Sequence, residues 1–195
     1  MHGLVNRSLQ CFIRDTYGED PWTATVARAG LGATEFDSLE CYDDALSEAL
    51  IGAASAVLNK PRAAMLEDLG TYLVATPGSQ NVRRLLRFSG TGFEAFLYAL
   101  EDLPDRARLA IPDLDLPALE LRRTGAGEFV LAVRWRTPDA ACVLIGLLRA
   151  MADDYGALAL FEHAPGDHGS EAIRVQLLDT GFAEGRRFDL AGAAR

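Results

Sequence analysis

The chain has 195 residues, of which 49% are hydrophobic and 24% charged, and its formal net charge is −9 at pH 7. These values are typical of one globular domain, or of two small units that share a core. The sequence has no apolar run near 18 residues and no secretory-signal pattern at its start, which argues against a membrane-spanning or secreted protein. The negative charge argues against nucleic acid or an anionic membrane as the main partner.

The three cysteines are odd in number and far apart, without the paired spacing of metal ligands. Cys11, Cys41 and Cys142 are therefore predicted to be reduced, mostly buried thiols of a cytoplasmic protein.

The first half of the chain has helical periodicity throughout. The pattern predicts helices over residues 4–17, from Asp20-Pro21 to Gly30, from Asp43 or Asp44 to Asn59, and from Pro61 to Pro77-Gly78. A further helix follows Ser79, and its arginines Arg83, Arg84 and Arg87 are interpreted as a solvated face, with contact to an anion or acidic partner as the alternative.

The stretch from Phe93 to Pro117, FEAFLYALEDLPDRARLAIPDLDLP, joins the two halves. Apolar residues repeat at helical spacing from Phe93 to Leu100. Because proline removes a helical hydrogen bond, Pro104 is predicted to bend or end the helix that begins at Phe93.

After Pro117 the period changes to two. Residues 118–123 and 128–136 are predicted to form a hairpin, a helix closed by Gly156 follows, and two more strands lie near 157–163 and 171–178. The fold class is therefore α+β, with a single domain over 1–185, a helical part over about 1–116, a helix-and-sheet part over about 117–185, and a tail over 186–195.

The sequence contains no phosphate loop, nucleophile elbow or metalloprotease signature, so no enzymatic activity and no metal site are predicted. The carboxylate pairs Asp43/Asp44, Glu101/Asp102 and Asp153/Asp154 are interpreted as helix caps or solvated faces. Of the three histidines, His2 is interpreted as an exposed terminal residue, His163 as a satisfied or edge-exposed imidazole, and His168 as solvent-exposed.

The opening MHGLVNRSLQCFIRDTYGEDPW resembles the heme-NO-binding (H-NOX) domains, the sensor modules of soluble guanylate cyclases and their bacterial stand-alone relatives. The resemblance continues through YDD (42–44), AASAVLN (53–59), LEDLGTYL (66–73), FLYALEDL (96–103), IPDLDLPAL (111–119) and LIGLLRAMADDYG (144–156). It covers nearly the whole chain in order.

This resemblance implies heme b held through one axial histidine, a Tyr-x-Ser-x-Arg motif that binds the propionates, and a proline against the porphyrin. The proline corresponds to Pro117, the distal residue of the first helix to Val5, and a wall residue of the later helix to Leu144. The residue that follows FLYALEDL is Pro104 and not histidine. Arg136 matches the arginine of the motif.

Ala132 and Arg134 stand at the Tyr and Ser positions of that motif. Arg134 and Arg136 share a strand face and either clamp carboxylates together or are two surface arginines. As substitute iron ligands, Tyr98 faces away from position 104 on an ideal helix, and His2 reaches the distal side only if the chain start folds inward.

Two hypotheses follow for this regulatory module. In the first it binds heme and responds to NO or another diatomic gas. In the second it is a heme-free descendant that serves as a protein-interaction module or binds another apolar ligand. Family analogy suggests a signalling partner such as a histidine kinase or a cyclic-di-nucleotide enzyme.

Overall fold

A computed structural model describes residues 1–32, 35–76, 80–87 and 92–185, without the side chains of Gln80, Asn81 and His168. It contains the helices α1 (Gly3–Tyr17), α2 (Glu19–Arg28), α3 (Asp44–Val57), α4 (Arg62–Ala75), α5 (Gln80–Leu86), α6 (Phe93–Tyr98), α7 (Leu103–Ala110) and α8 (Ala140–Tyr155), and the strands β1 (Ala118–Gly125), β2 (Glu128–Arg134), β3 (Leu158–Pro165) and β4 (Glu171–Asp179). The predicted Pro77-Gly78 stop, the Ser79 cap and the tail 186–195 lie outside the described residues. Among the described residues, no helix is long and apolar enough to cross a membrane.

The four strands form one antiparallel sheet in the order β1-β2-β4-β3. On β2, Phe129, Leu131 and Val133 alternate along the strand and are at most 1% exposed, as the period of two predicts. This face of the sheet packs against α8. The helices followed by a small sheet confirm the predicted α+β class.

The helix that begins at Phe93 ends at Tyr98, and α7 starts anew at Leu103. Pro104 occupies the first turn of α7, where proline's missing N–H would have no helical partner anyway. The prediction that no straight helix runs through this stretch is confirmed. The break precedes Pro104, however, so the proline begins a second helix and does not kink the first one.

The apolar interior consists of two clusters that meet at α4 and α8. One cluster contains residues of α1 to α4 together with Cys142 of α8, and the other contains residues of α4 to α8 and of the sheet. Two glycines allow the backbones of α4 and α8 to touch. A Cβ atom on Gly70 would lie 1.9 Å from the Val143 carbonyl oxygen, and one on Gly146 would lie 1.8 Å from the Glu67 carbonyl oxygen.

Helix α5 is fixed to the end of α8 by arginines that the sequence interpretation placed on a solvated face. Asp154 is buried, with its side chain 3% exposed, and both its carboxylate oxygens accept hydrogen bonds from Arg83 at 2.7–2.9 Å. Arg87 donates to the Asp154 carbonyl oxygen and lies 4.6 Å from the ring centroid of Tyr155. The solvated-face interpretation was therefore wrong for Arg83, Arg87 and Asp154, whereas Arg84 is exposed.

Replacing Gly146 by alanine is expected to lower the free energy of unfolding by about 3 kcal/mol or more, because the new methyl group forces the α4 and α8 backbones apart. Gly52→Ala is the matched control, since Gly52 is an exposed helical glycine with nothing within 4 Å of the added Cβ. That variant is expected to gain about 0.5–1 kcal/mol from helix propensity. Urea unfolding measures both, and equal effects would refute the close contact.

Asp154→Ala is expected to cost about 3–5 kcal/mol, because it leaves the Arg83 guanidinium without its bidentate partner in a largely buried place. Asp153→Ala removes the same charge from the exposed neighbouring position and should change stability by no more than about 0.5 kcal/mol. Denaturant unfolding of the two variants tests the difference. A loss below 1 kcal/mol in Asp154→Ala would argue that α5 is held by other contacts.

Candidate functional site

Residue 104, where the resemblance places the axial histidine, is a buried proline. It lies in the first turn of α7 beside Leu103 and Ala107, which are also buried. Heme iron is bound through nitrogen, sulfur or phenolate oxygen. The ring nitrogen of proline is the peptide amide, whose lone pair is delocalised into the carbonyl and cannot bind iron. Position 104 therefore supplies no axial bond to iron.

The loop that leads to this position is attached to the sheet by a carboxylate. Glu101 is exposed, as expected, but its Oε1 atom accepts a hydrogen bond from the N–H of Leu121 at 2.8 Å. Because β1 is an edge strand of the sheet, this N–H points away from the ladder with β2. The contact, which the sequence did not predict, connects the α6–α7 loop to β1.

Apolar side chains fill the space between α6, α8 and the sheet. Phe96, Leu97 and Leu100 are at most 1% exposed and belong to the same cluster as Leu144 and Leu131. Leu144, a wall residue by resemblance, is thus a core residue that contacts this cluster.

The other two apolar residues implied by the resemblance lie elsewhere. Val5 on α1 is half-buried, and Pro117, directly before β1, is buried. Neither belongs to the clusters of α6 and α8 or of α1 to α4. Leu144 is thus part of the apolar core, whereas Val5 lies outside both clusters.

Arg136 follows β2 and binds two carboxylates of this chain. Its Nε atom lies 3.2 Å from Oδ2 of Asp44, and its Nη2 atom lies 3.2 Å from Oδ2 of Asp115. The same Asp115 oxygen accepts a hydrogen bond from Nε1 of Trp135 at 3.1 Å. The N-terminal amine of Met1, and more weakly Arg136, hold the pKa of Asp44 below its ordinary value.

The two positions before Arg136 in the implied motif do not join it. Ala132 is 8% exposed and carries no polar group. Arg134 pairs with Glu120 at 2.7 Å, and this hydrogen bond is the main cause that lowers the pKa of the Glu120 carboxyl. Both arginines are exposed, and they bind different carboxylates, so the structure does not show them clamping one group together.

His2 is buried, with 5% of its surface exposed, so the interpretation as an exposed terminal residue was wrong. Its Nδ1 atom accepts a hydrogen bond from the N–H of Leu4 at 3.2 Å and caps α1. An acceptor Nδ1 places the proton of the neutral ring on Nε2, which then has no lone pair for a metal. His163 is 42% exposed and lies 3.0 Å from Glu171, in agreement with a satisfied edge imidazole.

No cluster of three histidine, cysteine or acidic side chains suited to a metal occurs within the described ranges. The cysteines do not fit their predicted burial, since Cys41 is exposed, Cys11 is half-buried and Cys142 alone is buried. Burial raises the pKa of the Cys142 thiol to about 11, and nearby Asp139 contributes to the rise.

A disulfide-exchange reagent at pH 8 is expected to label Cys41 quickly, because its thiol is exposed, and Cys142 only after the fold opens, because its thiol is buried and protonated. Peptide mass analysis over time measures the two rates, and Cys41→Ser provides the control without the fast phase. Equal labelling rates would contradict the burial of Cys142.

The raised pKa of Cys142 also predicts how stability depends on pH. The thiol ionises near pH 9 in the unfolded chain and near pH 11 in the folded one, so the free energy of unfolding should decline between these values.

An open groove of about 610 Å³ lies between the end of α1 and α4, away from Arg136. Both carboxylates that line it are paired with other lining residues. Tyr72 donates a hydrogen bond to Asp15, and Lys60 binds Asp68 at 2.5 Å and lies 5.5 Å from the ring centroid of Tyr17. Burial, and then the bond to Asp15, raise the pKa of the Tyr72 phenol.

The sequence does not predict the contacts of Arg136 with Asp44 and Asp115. Asp44 was interpreted as a helix cap or solvated residue, although the cap of α3 is Asp43, whose carboxylate accepts from the N–H of Ala45 at 2.9 Å. The one local feature that could have drawn attention to Asp115 is its position two residues before Pro117. Arg136 lies 92 and 21 positions from these two acids in the chain, and such distant partners cannot be paired from periodicity.

Comparison with known proteins places these features in a family. The family model described as "Haem-NO-binding" matches residues 2–162. The chain is 26% identical over 118 residues to soluble guanylate cyclase gcy-31 of Caenorhabditis elegans, which covers 60% of this chain and 17% of that protein. It is 21% identical over 160 residues to soluble guanylate cyclase 89Da of Drosophila melanogaster, or 82% of this chain and 24% of that protein. The chain thus spans less than a quarter of the length of these curated relatives.

Solved structures share the fold over nearly the whole chain. The Fe(II) unliganded H-NOX protein from K. algicida matches with a TM-score of 0.77 at 13% identity, covering 94% of this chain and 100% of that one. The H-NOX protein from S. oneidensis in the Fe(II)NO state matches with a TM-score of 0.75 at 14% identity, covering 92% and 100%.

Proposed function

Because the chain belongs to the heme-NO-binding (H-NOX) family, a family of sensor and not catalytic domains, we propose that residues 1–185 act as one sensory and regulatory module. The observation that carries the proposal is the family match over residues 2–162, which includes α1, the α6–α7 stretch and α8. In this proposal heme b is the ligand, and NO or another diatomic gas is the signal. The signal changes the structure around Pro104 and Arg136, and a partner protein responds to this change.

The donor set of this chain does not fit a heme held through residue 104. Pro104 has no donor atom, and the His2 Nδ1 atom is engaged with the N–H of Leu4. By resemblance alone, Val5 on α1, Leu144 on α8 and Pro117 before β1 would face a flat apolar ring, and Arg136 would meet its carboxylates. We therefore assign no axial ligand.

A second candidate function, a heme-free interaction module that binds partners or another apolar ligand, is supported by the same departures. The carboxylates of Asp44 and Asp115 already satisfy Arg136. The family match alone favours the heme-dependent function, and the two candidates differ in whether the protein takes up heme at all.

The proposed partner is a signalling protein. The curated relatives are soluble guanylate cyclases, of which the matched region is a small part. Family analogy extends the proposal to a histidine kinase or a cyclic-di-nucleotide enzyme as the separate effector. The net charge of −9 favours a partner surface with basic residues.

The absorption spectrum of the protein expressed with a heme supply tests the proposal. A stoichiometric Soret band that shifts with NO is expected for the heme-dependent function, and its absence from the wild type would overturn that function. Pro104→His should strengthen the band because it restores a ring nitrogen at the buried start of α7. Pro112→His, which adds an imidazole at an exposed proline of the neighbouring segment, is the control for adventitious binding.

A further inference from the structure

The groove between the end of α1 and α4 contains a row of three aromatic rings. The ring of Phe12 packs edge to face against Tyr17 at a centroid distance of 5.7 Å and against Tyr72 at 5.5 Å. All three residues line the groove. Phe12 is buried, whereas both tyrosines are half-buried, so the tyrosine rings are the ones that a ligand in the groove reaches.

At the Tyr17 end of the row, the groove already holds a cation. The Nζ atom of Lys60 lies 5.5 Å from the centroid of the Tyr17 ring and 2.5 Å from Oδ2 of Asp68. An ammonium group in this position is attracted both by the face of the ring and by the carboxylate. The groove therefore accepts a cationic side chain, which the chain itself supplies at this end.

At the Tyr72 end, a ring and a carboxylate again lie together, but their contact is with a neutral group. The Tyr72 hydroxyl donates a hydrogen bond to Oδ2 of Asp15. Burial raises the pKa of this phenol, and so does the bond to Asp15, so the hydroxyl is uncharged at neutral pH. Among the described residues that line the groove, two carboxylates and the single ammonium of Lys60 leave a net charge of −1.

We propose that this groove is a docking site for an arginine side chain in a basic segment of a partner protein. The guanidinium lies over the Tyr72 ring and binds the carboxylate of Asp15, while Lys60 stays over Tyr17. One added positive charge balances the charge of the lining. Arginine suits the site better than lysine, because its planar guanidinium stacks on an aromatic ring and hydrogen-bonds a carboxylate at the same time.

The inference rests on the proposed function in one respect, namely that the module has a signalling partner, and it names the surface that this partner contacts. It does not depend on heme, since neither Pro104 nor Arg136 lines the groove. The volume of about 610 Å³ is within the range of small-ligand pockets and exceeds what one arginine side chain fills. The groove therefore also has room for the neighbouring residues of the partner segment.

NMR titration of the ¹⁵N-labelled full chain tests the site. The probe is the peptide acetyl-Gly-Ser-Arg-Ser-Gly-amide, and its matched control carries citrulline, which has the shape of arginine without the charge. The arginine peptide is expected to shift the amide signals of Asp15 and Tyr72 with a Kd in the millimolar range, because one half-exposed ion pair and one cation–π contact are weak. The citrulline peptide is expected to shift neither.

A second signal reports from inside the groove. Lys60 is the only lysine of the sequence, so reductive methylation with ¹³C-formaldehyde introduces a single lysine signal without removing the charge. This signal is expected to shift with the arginine peptide and not with the citrulline peptide.

Three variants test the charges separately. Asp15→Asn keeps an oxygen for the Tyr72 hydroxyl and is expected to weaken binding of the arginine peptide about two- to fivefold. Asp20→Asn removes the same charge from an exposed residue of α2 outside the groove and should leave the Kd unchanged. Lys60→Gln removes the cation that repels the guanidinium and should tighten binding about two- to fivefold.

The possible failures are distinct. Equal binding of the two peptides, an equal loss in Asp15→Asn and Asp20→Asn, no gain in Lys60→Gln, or no shift at about 10 mM arginine peptide would overturn the docking site. Methylguanidinium that binds as tightly as the peptide would overturn the protein partner and leave a site for small cations. A wild type without a Soret band overturns the heme-dependent function alone, because the titration is carried out without heme.

Discussion

The backbone contact between α4 and α8 is the constraint on which the rest of the fold depends. Gly70 and Gly146 lie where the partner helix's carbonyl oxygens leave no room for a side chain. The hydroxyl of Thr71 also donates to the Gly146 carbonyl oxygen at 3.2 Å across this interface. Because α4 contributes to both apolar clusters and α8 spans them, this contact fixes the first helices relative to the sheet.

The position of α5 to α7 follows from that frame. The buried Asp154 near the end of α8 binds Arg83 of α5, and Glu101 connects the α6–α7 loop to β1. Two acidic residues that look solvated in the sequence thus hold the segment that contains Pro104. Although the chain has a net charge of −9, these two carboxylates form internal contacts. Glu101 accepts from a backbone N–H, and Asp154 binds an arginine.

The residues at which the resemblance implies heme contacts lie on this frame. Pro104 is in the first turn of α7 and Ala132 is on β2, and neither side chain carries a donor atom. Arg136 binds acids of its own chain. Apolar packing does not require any of these donors, because the cluster of Phe96, Leu97 and Leu100 is closed by α8 and the sheet. The fold therefore does not depend on a donor atom at position 104 or 132.

The sequence alone determined most helices, the four strands and the hairpin face, because periodicity, capping residues and proline positions act over a few neighbouring residues. It also determined the family, through motifs that occur in order along the chain. It did not predict α7 as a separate helix. It also located the break near Pro104 but not its exact place, since α6 already ends at Tyr98 and α7 begins at Leu103. Only the tertiary structure decided the partners of Arg83, Glu101 and Arg136, the burial of His2 and the exposure of Cys41. Those properties depend on groups that are far apart in the chain and meet only after α4 and α8 have brought the two clusters together.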